Sequence, residues 1–330
     1  MTHAANYSAG TIAVDGQTVV RLHDAAAQTE VLIAPSMGNN AYSMKVKGQQ
    51  VMWAASPTLA EWKAKLTLVG NPFLWPWANR ILGESYWANG KKYQLNTAIG
   101  NVRKDGNGNP IHGLLAYSDA WEVVETAGGD DAASVASRLE YWRYPEWLAQ
   151  FPFAHGVTMR YRLKDGALEV ETVLDNLSDR PMPVSLGYHP YFQLTDSGRD
   201  DWKVHLAARS HVSLSNALTP TGETKPVTKA DPHALRGSQL DDVFTDLIRD
   251  KDGRAVFSVT GKSQKLEVLY GPNYPVAVVY APPGRGFICF EPMAGVTDVF
   301  NLAHAGKFPL QSVPARGQWR ESFWIRPSGF

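Results

Sequence analysis

Hydrophobic and polar residues alternate with a period of two along much of this chain, broken at intervals by short Gly- and Asn-containing turns. The clearest run covers residues 157–174. Val157, Met159, Tyr161 and Leu163 alternate with polar neighbours, Asp165-Gly166 intervenes, and Leu168, Val170, Thr172 and Leu174 resume the pattern. Alternate side chains of a strand point to opposite faces, so this stretch predicts an antiparallel hairpin with one buried face. Residues 11–14 and 18–22 flank Asp15-Gly16, and YWANGKKY places Asn89-Gly90 between strand-like arms. Both dipeptides tolerate the positive φ that tight hairpin turns require. Residues 30–34 and 41–46 form a further strand pair across a turn at 35–40. In the last third the pattern predicts strands over 254–259, 265–270, 276–280 and 286–291.

Helical periodicity is almost absent. Residues 59–66 support one or two helical turns, and 71–82, NPFLWPWANRIL, is too rich in Pro and Trp for a helix. Residues 100–110 read as a Gly/Asn/Lys loop. The polar stretch 207–239 has three prolines and neither period, which predicts a long loop. Residues 184–194 continue the 157–174 hairpin as a meander. No repeat, low-complexity tract or linker divides the chain. The expectation is an all-β protein: a large antiparallel β-sandwich with few short helices, one domain spanning 1–330.

Composition narrows the function. Lys plus Arg and Asp plus Glu both number 32, and no basic run occurs, which argues against nucleic acid or an anionic membrane as partner. The single cysteine, Cys289, allows no internal disulfide and reads as a small buried hydrophobe. Residues 1–14 lack the basic and apolar regions of a signal peptide, and no stretch approaches a membrane span. A cytoplasmic location is expected. The 11 Trp, 13 Tyr and 12 Phe favour strands and offer flat surfaces for sugar rings.

Five segments carry chemistry. His189 precedes Pro190, which biases it towards extended backbone, with Tyr191 and Phe192 beyond. Glu291 closes the apolar run GFICFE, sharing a face with Phe287 and Cys289, a costly place for an acid unless it is paired or used. Asn79 and Arg80 end the Pro/Trp-rich segment. His112 precedes Gly113, read as a point of close approach to a ligand, and Asp241 sits beside Asp242. A core histidine, a turn glycine and a solvated acidic face are the plainer readings of three of these. The chain has no HExxH, no CxxC, no GxSxG and no phosphate-cradling glycine loop. Acid–base work by histidine and carboxylate remains, with arginine and aspartate as hydrogen-bonding groups for a polyhydroxy ligand.

Seven motifs in order, WANRI (77–81), IHG (111–113), FPF (151–153), GYHPYFQL (187–194), PTGE (220–223), LDDVF (240–244) and FICFEPM (287–293), resemble the aldose 1-epimerase (galactose mutarotase-like) family. The resemblance implies a β-sandwich enzyme without cofactor or metal that interconverts sugar anomers by ring opening. It implies that Glu291 is the general base and His189 the general acid, and that Arg80, His112 and Asp241 bind the sugar; Asn79, beside Arg80, is expected to bind it too. Relatives acting on 6-phosphates tend to carry an arginine soon after His-Gly, where this chain has Leu114-Leu115-Ala116. A neutral aldohexose is therefore the expected substrate. A hexose 6-phosphate epimerase, a non-catalytic carbohydrate-binding sandwich and a glycoside hydrolase using Asp241 and Glu291 remain open alternatives.

Overall fold

The computed structural model describes residues 6–55 and 58–330. Residues 1–5, on which the reading of the N-terminus partly rests, lie outside that range. The three hairpins form where turn chemistry places them. Tyr7–Val14 and Gln17–Asp24 meet at Asp15 and Gly16, with φ of 50° and 73°. Ser85–Ala88 and Lys91–Gln94 meet at Asn89 and Gly90, with φ of 51° and 72°. His155–Lys164 and Ala167–Asn176 meet at Asp165 and Gly166, with φ of 50° and 72°. Two successive left-handed residues twist the turn in the same sense as its strands.

The sheets are antiparallel. One of nine strands runs through His155–Lys164, Ala167–Asn176, the C-terminal strand Gln318–Ser328, Lys265–Tyr270 and Ala255–Thr260. A second, of eight, contains Leu240–Leu247, Val276–Ala281, Ile288–Met293 and Gly187–Tyr188. A five-stranded sheet is built from residues 7–50. Every predicted inward residue of the 157–174 hairpin is fully buried. Its apolar members share one core with Phe244, Val279 and Phe290 of the eight-stranded sheet. Burying each such side chain contributes about 1.5–3 kcal/mol, so a charge at Val170 or Phe290 would break the sandwich.

Two expectations change. Residues 207–239 are not one long loop: Ala208–Leu214 and Pro220–Pro226 pair as a hairpin, and His233–Ala234 adds a short strand. Pro220–Pro226 is an edge strand with most side chains exposed, where prolines are tolerated and no burial period is imposed. The meander also fails, because the strand beside Ala167–Asn176 is Gln318–Ser328, while Gly187–Tyr188 belongs to the other sheet. The helices among the described residues are Leu59–Ala64, Pro145–Leu148 and Val299–His304, few and short as expected. Among the described residues no helix is long and apolar enough to cross a membrane.

Candidate active site

Pairing in the eight-stranded sheet sets one wall of a cavity of about 380 Å³. Val243 pairs with Val278 and Val278 with Glu291, while Asp241 pairs with Tyr280 and Tyr280 with Cys289. Alternation along each strand sends these side chains away from Phe244, Val279 and Phe290, which fill the core. The resulting face carries two acids between aliphatic and aromatic neighbours. All six sequence candidates, Asn79, Arg80, His112, His189, Asp241 and Glu291, line this one cavity.

His189 follows directly on the Gly187–Tyr188 strand, and its backbone N–H donates to Pro72 O at 3.1 Å. Its ring stacks on Tyr191 with centroids 4.7 Å apart and meets the His112 ring edge to face at 5.6 Å. Nε2 lies 3.3 Å from Glu291 Oε1. The far atoms, His189 Nδ1, His112 Nδ1 and Glu291 Oε2, are buried without a partner among the described residues. Buried polar atoms are ordinarily paired, so three of them gathered at one cavity mark it as a candidate site.

The opposite wall comes from two irregular segments tied together. Arg80 bridges to Ile111, His112 N donates to Asn79 O at 2.9 Å, and Ile81 N donates to Pro110 O at 2.9 Å. Asn79 and His112 both adopt left-handed backbone, with φ of 52° and 61°. Such conformations cost on the order of 1 kcal/mol or more and concentrate at functional sites. Gly113 also has positive φ, but its close approach is to the protein: a Cβ there would lie 2.2 Å from Trp75 O. This replaces the expectation that Gly113 admits a ligand. The guanidinium of Arg80 is held by Nε donating to Asp105 Oδ2 at 2.6 Å.

Burial pushes the Glu291 carboxyl well above the usual carboxylate range; neighbouring Asp241 adds to this and Arg80 opposes it. Burial lowers His189 to about 4; a hydrogen bond to its own backbone opposes this, and Arg103 and Arg80 reinforce it. His112 is held well below its ordinary value by burial, then by His189, Arg103 and Arg80. Asp241 is raised, chiefly by burial. Burial thus works against charge on both imidazoles and on Glu291 alike. Ala116, the position used to judge substrate charge, is buried outside the cavity lining. Among the described residues no cluster of three or more His, Cys, Asp or Glu could hold a metal ion.

The family model for aldose 1-epimerase matches residues 20–325. The chain belongs to the aldose 1-epimerase family. Its fold is similar to that of a galactose mutarotase-like protein from Clostridium acetobutylicum, with a TM-score of 0.86 at 20% identity, covering 98% of this chain and 99% of that one. It is also similar to the galactose 1-epimerase of Lactobacillus acidophilus NCFM, with a TM-score of 0.74 at 14% identity and coverage of 98% and 99%. In sequence it matches the uncharacterized protein YihR of Escherichia coli (strain K12) at 29% identity over 146 residues, 44% of this chain. That match spans 43% of YihR, less than half its length.

The sequence reading did not assign Tyr280, Tyr191 or Asp105 to the site. Tyr280 could have been found from register, since it lies across from Asp241. Tyr191, read as packing behind His189, lines the cavity itself. Asp105 gave only a turn signal.

Proposed function

We propose that this chain is a mutarotase that interconverts the α and β anomers of a neutral aldohexose. The observation that carries the reading is a histidine and a carboxyl group 3.3 Å apart in a cavity that also presents Arg80, His112, Asp241 and Asn79. Glu291 takes the proton of the anomeric hydroxyl and His189 gives one to the ring oxygen. The ring opens, C1–C2 rotates, and closure on the other face returns both protons. Arg80, His112, Asp241 and Asn79 hold the hydroxyls and ring oxygen meanwhile, and Tyr191 and Tyr280 offer apolar surface to the ring. Neutrality of the substrate is supported by the lining itself. It presents one arginine, already engaged by Asp105, against two carboxyl groups, a poor setting for a phosphate.

The test is polarimetry on freshly dissolved pure anomers. Glu291→Gln and His189→Asn should each lose on the order of 10²-fold or more in rate, because each group acts at a different end of the hemiacetal. The double variant should be little worse than the poorer single one. Near-wild-type rates in both folded single variants would favour a binding module instead.

A further inference from the structure

We infer that Asp105 is a positioning residue whose carboxylate aims the Arg80 guanidinium into the sugar cavity. The inference rests on the proposed mutarotase reading for its kinetic consequence, but its geometry stands apart from it. The two oxygens of Asp105 have separate jobs. Oδ1 accepts from the backbone N–H of Asn107 and of Asn109, both at 2.9 Å, and so winds the 105–109 turn around itself. Oδ2 accepts from Arg80 Nε at 2.6 Å. The Asp105 side chain is 7% exposed and the Arg80 side chain 18%. Arg80 holds the carboxyl below its usual range against the opposing effect of burial, as do the two backbone donors.

Nε is the inner nitrogen of the guanidinium fork. Engaging it fixes the plane of the group and leaves the outer nitrogens free to turn towards ligand oxygens. The same turn delivers His112: Ile111 N donates to Arg103 O, and Arg80 bridges to Ile111. One carboxylate thus sets the relation between two side chains that line the cavity. The turn has other anchors, including Gly83 N donating to Asn109 Oδ1 and the Lys104–Glu84 ion pair. Loss of the Arg80 contact alone should leave it folded.

Asp105→Asn separates the two jobs. Its one remaining carbonyl oxygen can still accept from Asn107 and Asn109, which leaves an amide N–H₂ facing the Nε–H of Arg80. Two readouts decide. The first is the Nε–Hε NMR signal of Arg80, assigned by its loss in Arg80→Lys. A signal displaced and protected from exchange in the wild type, and collapsed to the free-arginine position in Asp105→Asn, is expected. The same signal in both proteins overturns the inference, whatever the enzyme turns over. The second is mutarotation of α-D-glucose. Asp105→Asn should raise KM on the order of tenfold with kcat little changed, the loss of one hydrogen bond to a charged group. It should add almost nothing in an Arg80→Ala background. A full additional loss in that background would mean that Asp105 acts through the turn, not through Arg80.

Discussion

The fully buried His155 makes the fold sensitive to acid in a way that can be worked out. Its Nε2 accepts from Trp75 Nε1 at 2.8 Å and its Nδ1 faces Phe153 O at 2.6 Å. These partners require the neutral ring with its proton on Nδ1. A second proton would set N–H against N–H at Trp75, in the segment whose carbonyl also receives Leu114 N behind His112. Burial lowers His155 from 6.5 to about 4. The folded state therefore binds this proton less readily than the unfolded chain. Its stabilising contribution is complete above pH 6.5 and is lost as the pH falls from 6.5 towards about 4. That displacement corresponds to about 3 kcal/mol in full, and about 2 kcal/mol of it is gone by pH 5. His189 titrates in the same direction, so the effect must be isolated by comparison. The assay is urea unfolding of the wild type and His155→Gln at pH 7.5 and pH 5. Glutamine does not titrate, so the stability advantage of the wild type should shrink by about 2 kcal/mol between the two. An advantage independent of pH would refute the reasoning.

Two further outcomes follow from the geometry. Gly113→Ala meets both positive φ and a Cβ position 2.2 Å from Trp75 O, so it should cost upwards of about 3 kcal/mol in chemical denaturation. Gly90→Ala, which has φ of 72° and open space around its Cβ position, isolates the backbone effect and should cost only about 1 kcal/mol; equal losses would mean that the Trp75 contact relaxes freely. Glucose should be converted with a higher kcat/KM than glucose 6-phosphate, given the carboxyl-rich lining, and a tenfold preference for the phosphate would overturn the neutral-substrate reading.

Legibility followed burial. Where one face of a strand is buried and the other wet, as from Val157 to Leu174, alternation in the sequence recovers the element and its inward residues. Where neither face is buried, as along Pro220–Pro226, the chain is free of that constraint and its composition reads as loop. The destination of a strand was harder still: nothing local says that Ala167–Asn176 lies beside Gln318–Ser328. The catalytic candidates were visible because an acid ending an apolar strand and a histidine fixed before proline are costly arrangements. The six belong together in one cavity, which the motifs implied and local periodicity could not. Residues that act through distance were invisible. Asp105 meets Arg80 across 25 positions, and Val243 and Val278 look like any strand hydrophobics until register aligns them with Glu291.

Burial acts against the roles proposed for His189 and Glu291, and their short separation resolves the conflict. Work as a base needs Glu291 ionised, and work as an acid needs His189 protonated. Burial favours the opposite distribution, with the carboxyl raised and the imidazole lowered to about 4. Both distributions hold one proton between the two groups, so they differ only in which side of a 3.3 Å gap it occupies. Exchanging them needs no proton from solvent and leaves the net charge of the cavity unchanged. Desolvation penalises both charged forms together, so a neutral pair is the cheaper of the two distributions where nothing else pairs with the groups. In the proposed reaction a bound sugar would alter that balance, its hydroxyl and ring oxygen offering partners to Glu291 Oε2 and the imidazole. Arg80 already favours the carboxylate. On the proposed reading the substrate itself would draw out the working charges, since burial, the main cause of both shifts, is offset once the buried groups gain hydrogen-bond partners.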